Sequence, residues 1–248
     1  IDNQIDYDLE KKKGILDILF VNKSVSLNYT KEKNSLIFNS EDNKNNFNGK
    51  IFFKPFYFSS NFNYEGLSTK YLFNEDTILI DLIKSEILNN KNLNANLSFN
   101  VKDITNIAEL ENLFLNVNIE EGNIGLSNSN LMWKDDLKII LTESLLTHNS
   151  DSEIDLIGKL TIQFKDIDNF YRSYQVKKNH RKKIKELQID FVYNFNKKNI
   201  SFDNVKIDGA SSSKLEKYIN SFNKKENRIF NKITFKNFIY NFFSSYAG

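Results

Sequence analysis

Apolar and polar residues alternate over several long segments of this chain. Between Leu187 and Phe195 every second residue is apolar, and Val192 is the one apolar residue at an intervening position. A period of two places the two sets of side chains on opposite faces of a β-strand. The same alternation in residues 113–119 and 154–164 predicts further strands with one apolar and one polar face.

This pattern predicts strands through most of the sequence. The predicted strands cover residues 15–21, 24–29, 35–40, 49–64, 93–101, 110–120, 123–133, 137–145, 154–165, 186–196 and 199–207. Short polar connectors separate most neighbours, which is the spacing of an antiparallel meander. The segment 49–64 is apolar on both faces around its centre, and Pro55 suggests an edge or a bulge within it because proline cannot donate to the ladder.

A helical period appears in four places, at residues 68–90, 166–175, 213–224 and 231–246. In 77–90 the apolar stripe consists of Ile78, Leu82, Ile83 and Ile87. In 231–246 it consists of Phe235, Phe238, Ile239, Phe242 and Phe243. This last stripe suits either a plug that closes one end of the sheet, which we favour, or a contact with a membrane.

These elements predict a mainly β fold with packed helices. We expect a long, twisted, antiparallel sheet that curves to form a groove, with amphipathic helices covering it near residues 68–90 and 213–246. Residues 1–248 form a single domain, since no linker is long or polar enough to mark a boundary. We also expect Leu113, Leu115, Val117 and Ile119 to share one sheet face with Leu156, Leu160 and Ile162.

Composition narrows the picture only slightly. Lys and Arg number 34 against 32 Asp and Glu, so the net charge of +2 favours neither nucleic acid nor acidic partners. The chain contains no cysteine, which excludes disulfides and thiol chemistry. With 8 Gly and 1 Pro, turns must rely on other residues, and the abundant asparagines suit that role. The chain begins at Ile1 within a polar segment, so we expect a C-terminal fragment of a longer protein.

The sequence offers no catalytic or metal-binding motif. His148 and His180 lie in separate polar segments without a second histidine nearby, which is typical of solvated side chains. The acidic pairs Glu120–Glu121, Asp135–Asp136 and Asp151–Glu153 lie in turns, where carboxylates serve solubility. We therefore expect a protein that is not an enzyme, with no cofactor and no metal.

One segment carries a strong run of positive charge. Its basic residues include Lys177, Lys178, Arg181, Lys182 and Lys183. These are candidates for contact with anionic lipid head groups, although a solvated connector would have the same composition. Nucleic acid is not expected, because the run lacks interleaved aromatic residues and the rest of the chain is not basic.

Three segments resemble the C-terminal region of the AsmA-like family, the AsmA/YhdP/TamB type of envelope protein. They are residues 117–134 (VNIEEGNIGLSNSNLMWK), 162–171 (IQFKDIDNFY) and 202–208 (FDNVKID), and the similarity extends from about residue 49 to the end. The resemblance implies a large Gram-negative protein, anchored in the inner membrane by an N-terminal helix outside this chain. Its periplasmic part would be a long curved sheet with an apolar groove, similar to bridge-like lipid-transfer proteins. The family offers no catalytic residues, and this chain departs from it in its scarcity of Gly and Pro.

The resemblance and the alternation together predict a periplasmic module that binds or guides phospholipid or another acyl lipid between envelope membranes. The candidate groove residues are Leu113, Leu115, Val117, Leu156, Leu160, Leu187, Ile189 and Phe191. Two alternatives stay open. A carbohydrate-binding or carbohydrate-acting β-sandwich would show aromatic platforms flanked by carboxylates. A closed structural module would have its apolar faces filled by its own helices.

Overall fold

Fourteen strands form one sheet in the computed structural model, which describes residues 12–20, 23–40, 45–68, 90–105, 109–126, 128–148, 153–224 and 232–247. The strands are β1 (Lys13–Phe20), β2 (Lys23–Lys31), β3 (Ser35–Ser40), β4 (Asn45–Phe53), β5 (Phe56–Leu67), β6 (Ala95–Ile104), β7 (Leu110–Glu120), β8 (Asn123–Gly125), β9 (Ser129–Trp133), β10 (Leu137–His148), β11 (Ile154–Phe164), β12 (Glu186–Asn194), β13 (Asn199–Ile207) and β14 (Ala210–Ser211). The described helices are α1 (Ile167–Ser173), α2 (Ser213–Asn223) and α3 (Lys232–Ala247). The predicted mainly β class with helices is confirmed.

The strands follow one another across the sheet in chain order. Between β7 and β10, the short strands β8 and β9 each pair with both neighbours. One pair differs from the expected antiparallel pattern, because β5 and β6 run parallel and the sheet is therefore mixed. A parallel neighbour requires a connection that returns the chain to the same end of the sheet.

The segment 49–64 is a hairpin, so its prediction as one continuous strand is wrong. Strands β4 and β5 pair from Asn45 opposite Tyr64 to Phe53 opposite Phe56. Lys54 and Pro55 form the turn, where no ladder donor is required. The aromatic side chains at the tip of the hairpin are exposed on both faces of the sheet. The two apolar faces of this segment therefore do not indicate burial on both sides.

Three irregularities bend the sheet. The register shifts on β7 between Glu111 and Phe114, on β10 between Thr142 and Leu145, and on β13 opposite Gln188–Asp190. Each shift contains a residue with positive φ: Asn112 (51°), Glu143 (48°) and Asn204 (48°). A bulge of this kind adds an unpaired residue and increases local twist, which gives the sheet its curvature.

The helices at residues 166–175, 213–224 and 231–246 are confirmed. At α1 the Asp166 carboxylate accepts a hydrogen bond from the Asn169 backbone N–H at 2.8 Å, which caps the first turn. The helix predicted over 77–90 lies outside the described residues. None of the helices in the described part of the chain is long and apolar enough to cross a membrane.

The largest core lies at the C-terminal end of the sheet. There α1, α2, α3 and the connector between α1 and β12 pack against the apolar face of β9–β13. Tyr171, Leu215, Phe242 and Phe243 are fully buried in this core. The Tyr171 and Phe243 rings meet edge to face at 4.9 Å, and Phe202 of β13 lies 4.9 Å from Phe238 of α3. The helices therefore close this end of the sheet.

Candidate functional site: an apolar lane across the sheet

One face of the sheet is apolar from β3 to β12. Residues that pair directly share a face, so the register identifies a row of neighbours from one strand to the next. This row consists of Leu36, Ile51, Phe58, Ala95, Ile119, Ile124, Leu146, Leu156 and Tyr193. At a strand spacing of about 4.8 Å, the nine strands extend over roughly 40 Å. We call this row and the apolar residues beside it on the same face the apolar lane.

The predicted face sharing is confirmed. Ile119 pairs with Ile124, Ile124 with Leu146, and Leu146 with Leu156, so β7 and β11 present their apolar sets to the same side. Val117 and Ile119 are buried, whereas Asn118 and Glu120 on the opposite face are exposed. Leu113 and Leu115 lie on the lane side of the same strand.

Five of the candidate groove residues lie in the part of the lane that the helices close. The exposed fractions of Leu187, Ile189 and Phe191 are 6%, 4% and 7%, and all three belong to the core beneath α1–α3. Leu156 and Leu160 pack against that core and are partly buried. This part of the lane is filled by the protein's own side chains.

The other three candidates lie in the central part of the lane. Leu113 and Leu115 are half-buried, and Val117 is buried in a second apolar cluster. This cluster and a third one, centred on Leu27, Tyr29 and Phe38, contain only strand and loop residues within the described part of the chain. The described helices therefore leave the apolar face of β2–β8 without helical cover.

An aromatic strip crosses the central strands of the lane. The sequence pattern alone does not reveal this strip. Phe38, Phe47, Phe62 and Phe99 lie on β3, β4, β5 and β6, with successive ring centroids 6.0, 5.6 and 4.6 Å apart. The last two pairs are stacked, and Phe47, Phe62 and Phe99 are half-buried. In the sequence, the alternation in residues 95–101 is the signal for this strip. The pairing register of the strands is needed to align these residues with β4 and β5.

The opposite face of the same strands is polar and largely neutral. Asn63 Nδ2 donates to Asn46 Oδ1 at 2.8 Å, and Asn100 Nδ2 donates to the Oδ1 atoms of Asn61 and Asn63 at 2.8 and 3.0 Å. Side-chain amides thus connect β4, β5 and β6 across the polar face. The sheet therefore separates a hydrated amide surface from an apolar one.

A cleft of about 610 Å³ along β10–β13 is lined by Glu143, Asp190 and Asp203 together with Phe191 and Phe202, and both of these aromatic side chains are buried. A cleft of about 440 Å³ beside β12, β13 and α2 contains Asp190, Asp203 and Glu216, but no aromatic side chain lines it. A cleft of about 370 Å³ at the end of β4–β7 is lined by Tyr64, Phe114 and Glu65, by the lane residues Val101 and Leu113, and by four asparagines. Aromatic side chains and carboxylates therefore share two of these clefts, but Phe191 and Phe202 are packed in the core and offer no exposed platform.

The basic head-group candidates lie where β11 ends and β12 begins, beside the C-terminus of α3. Lys177, Lys178, Lys182 and Lys183 are exposed. Arg181 is partly buried, and its Nε donates to the Val176 carbonyl at 2.9 Å. Lys182 Nζ donates to the Tyr246 carbonyl at 3.2 Å and lies 4.9 Å from the Tyr246 ring centroid. Part of this charge therefore stabilises the end of α3, where cations are favoured.

The remaining polar candidates have structural roles. His180 Nδ1 lies 3.0 Å from Ser244 Oγ, but that hydroxyl donates its hydrogen to the Tyr240 carbonyl at 2.8 Å and is not activated. Asp136 is buried, contrary to its prediction as a solvated turn residue, and accepts from Asn169 Nδ2 at 2.6 Å. The described residues contain no group of three or more His, Asp or Glu that could hold a metal ion. The His148 side chain and Asp151 lie outside the described residues.

No protein-family model matches the chain, and no curated protein or solved structure is significantly similar to it. The resemblance to the AsmA-like family therefore rests on the three sequence segments.

Proposed function

We propose that this protein is a non-catalytic β-groove module of the AsmA-like type, which binds acyl lipid along the central part of the apolar lane. In this proposal it holds or guides phospholipid or another acyl lipid between envelope membranes. In this proposal the module works in the periplasm and is attached to the inner membrane. The observation that carries the proposal is the group of half-buried apolar side chains on β4–β7, against which no described helix packs: Phe47, Phe62, Leu97, Phe99 and Leu115.

The chemistry of acyl chains favours such a surface. Exposing a chain of about 16 methylenes to water costs roughly 13 kcal/mol, at ~0.8 kcal/mol for each methylene. A continuous apolar lane removes most of this cost at every point of the path. The half-buried Leu97, Phe99 and Leu115 offer side chains without polar atoms at neighbouring positions on β6 and β7. No reactive group is needed for this activity.

The test uses photo-crosslinking residues at matched positions on β7. A crosslinker at Leu115 lies on the lane, and one at Asn118 lies on the exposed polar face of the same strand. We expect lipid to be captured from vesicles at Leu115 and not at Asn118. Mass spectrometry of the captured adducts would identify the lipid class.

A third position measures how far the lane is open. Phe191 lies beneath the helices, so a crosslinker there should capture no lipid while Leu115 does. Capture at Leu115 and Asn118 to the same extent, or capture at neither, would contradict the proposal and favour the closed structural module. Phe191→Glu tests folding rather than lipid passage, because the charge would enter a packed core without a partner.

A further inference from the structure

We propose that the tip of the β4–β5 hairpin docks onto an anionic membrane surface. The hairpin tip consists of Phe52, Phe53, Lys54, Pro55, Phe56 and Tyr57, and all six residues are exposed. The exposed fractions of Phe53 and Phe56 are 45% and 42%. The inference goes beyond the proposed lane, since a docked tip requires no transport of lipid.

The aromatic side chains of the hairpin tip point to both sides of the sheet. Phe53 and Phe56 pair with each other and lie on the same side as the apolar lane, whereas Phe52 and Tyr57 pair on the opposite side. The Phe52 and Tyr57 ring centroids are 6.2 Å apart. A single protein surface packs against one face of a hairpin only. The interfacial layer of a bilayer surrounds an inserted tip on all sides, and aromatic side chains favour that layer.

The charges around the hairpin tip have the sign that anionic head groups require. Neighbouring strand ends and loops place six lysines on this edge of β1–β5, and they are Lys12, Lys13, Lys31, Lys33, Lys50 and Lys54. The loop between β2 and β3 is tied to the hairpin by a hydrogen bond from the Phe53 N–H to the Asn34 carbonyl at 3.0 Å. Each lysine near an anionic bilayer strengthens binding.

Among the described residues of this edge, Glu32 is the one carboxylate, and it is already paired. Its Oε2 accepts from Ser35 Oγ at 2.6 Å and from Lys50 Nζ at 2.9 Å. Aromatic side chains surrounded by lysines suit a phospholipid surface. A sugar-binding platform would place carboxylates beside the aromatic rings.

The experiment uses the absence of cysteine from the chain. A Phe53→Cys variant of the full 248-residue chain carries one environment-sensitive fluorophore, and a Lys102→Cys variant carries it near the end of β6, at the opposite end of the strands. The probes are phosphatidylcholine vesicles with and without phosphatidylglycerol. We expect a blue shift at position 53 with the anionic vesicles at low salt, no shift at position 102, and loss of the shift at high salt.

Matched variants distinguish membrane docking through the hairpin tip from nonspecific hydrophobic binding. We expect F53S/F56S to weaken vesicle binding about tenfold or more, because the inserted apolar surface is lost. The control I157S/V192S removes another exposed apolar pair, 37% and 38% exposed and paired across β11 and β12. It should bind as the parent does. Lys54→Glu should weaken binding, and Lys102→Glu at the other end of the strands should not.

Three results would overturn the inference. The first is an absence of vesicle binding by the parent chain at low salt. The second is equal binding by F53S/F56S and the parent. The third is a dimer, seen by light scattering, that F53S/F56S dissolves while vesicles cause no shift, because the hairpin tip would then be a contact between two copies. Crosslinking of lipid at Leu115 is scored separately, so failure of docking and failure of the lane are distinguishable.

Discussion

Tyr171 and Tyr174 lie in the C-terminal core, where burial raises the pKa of both phenols far above the ordinary value of 10.0. The Tyr171 hydroxyl donates to the Lys182 carbonyl at 2.8 Å, and the Tyr174 ring packs 4.7 Å from Phe170. Both residues are less than 10% exposed, so an anionic phenolate would lose its hydration.

This burial predicts a loss of stability in alkaline solution. Unfolded tyrosines ionise near pH 10.0, while the two buried ones keep their protons. The unfolded state then binds fewer protons, so the free energy of unfolding is unaffected below pH 10 and falls above it. The slope approaches about 1.4 kcal/mol per pH unit for each tyrosine. Urea titrations from pH 8.5 to 11.5 should show a shallower slope for Y171F/Y174F, and equal slopes would contradict the assignment.

The positive-φ residues show how far composition could predict turn chemistry. Among nine non-glycine residues with positive φ in the described chain, Asn112, Asn128 and Asn204 are asparagines. The expectation that asparagine replaces glycine therefore holds at these positions. Glu143 and Lys198 adopt the same conformation without that side chain. Their geometry is imposed by the bulge and the turn around them, which the local sequence does not reveal.

At the scale of the element, the β10 bulge depends on a glycine in the neighbouring strand. A Cβ placed on Gly158 would lie 2.7 Å from the Ser144 Cβ and 3.1 Å from its Cα. Ser144 is part of the bulge that follows Glu143, so the two strands approach closely there. Glycine is needed because the backbone of the bulge cannot retreat without breaking the pairing of β10 and β11.

We predict that Gly158→Ala lowers the free energy of unfolding by about 1–3 kcal/mol through overpacking. Gly125→Ala is the matched control, because its nearest neighbours would lie at 3.5 Å, an ordinary contact distance. That variant should stay within about 0.5 kcal/mol of the parent. Ser144→Gly in the Gly158→Ala background removes the clashing Cβ and should restore part of the stability. Chemical denaturation measures all three, and equal midpoints for the two alanine variants would contradict the packing.

Single elements were predictable where one face is buried. Alternation predicted β7 and β13 to the residue, at 110–120 and 199–207, and the helical period located α2 and α3 within a residue or two. The β4–β5 turn was not predictable, because exposed aromatic residues on both sides mimic a doubly buried strand. The parallel pairing of β5 and β6 depends on a long connection, and local sequence does not specify it.

At the scale of the whole molecule, the apolar lane joins two regions of different construction. Beneath α1–α3 the lane is a filled core, and Phe238, Ile239, Phe242 and Phe243 of α3 are buried in it. This favours the plug over a membrane contact for the last helix. The sequence predicted the residues of the lane but not this division, because which apolar face a helix covers is decided by the tertiary path of the chain.

The hairpin tip and the basic connector lie at opposite ends of the strands. Strand β4 ends at the tip, whereas β11 ends at the connector that contains Lys177–Lys183. The connector is the candidate for head-group contact that the sequence suggests, because its charges are contiguous. The lysines near the tip come from separate strands and loops, so only the sheet register shows that they share an edge.

The division between a filled core and a less covered region predicts that the N-terminal and C-terminal parts of the sheet unfold locally and independently of each other. Among the described residues, the N-terminal cluster contains three that are buried, Leu27, Tyr29 and Phe38, whereas the C-terminal core combines strands with three helices. Regions with fewer buried contacts open at lower free energy. In native-state hydrogen exchange we expect amides of β2 and β3 to exchange about a hundredfold faster, or more, than amides of β12 and β13.

Two alanine substitutions test directly whether the two parts of the sheet unfold independently. Leu27→Ala should accelerate exchange in β2 and β3 and leave β12 and β13 unchanged, because Leu27 belongs to the N-terminal cluster and not to the C-terminal core. Leu215→Ala removes a fully buried side chain from α2, so it should accelerate exchange in β12, β13 and α3 and leave β2 and β3 unchanged. If either substitution accelerates exchange uniformly along the chain, the sheet unfolds as one cooperative unit. The central part of the lane could then not open while the helix-covered end stays closed.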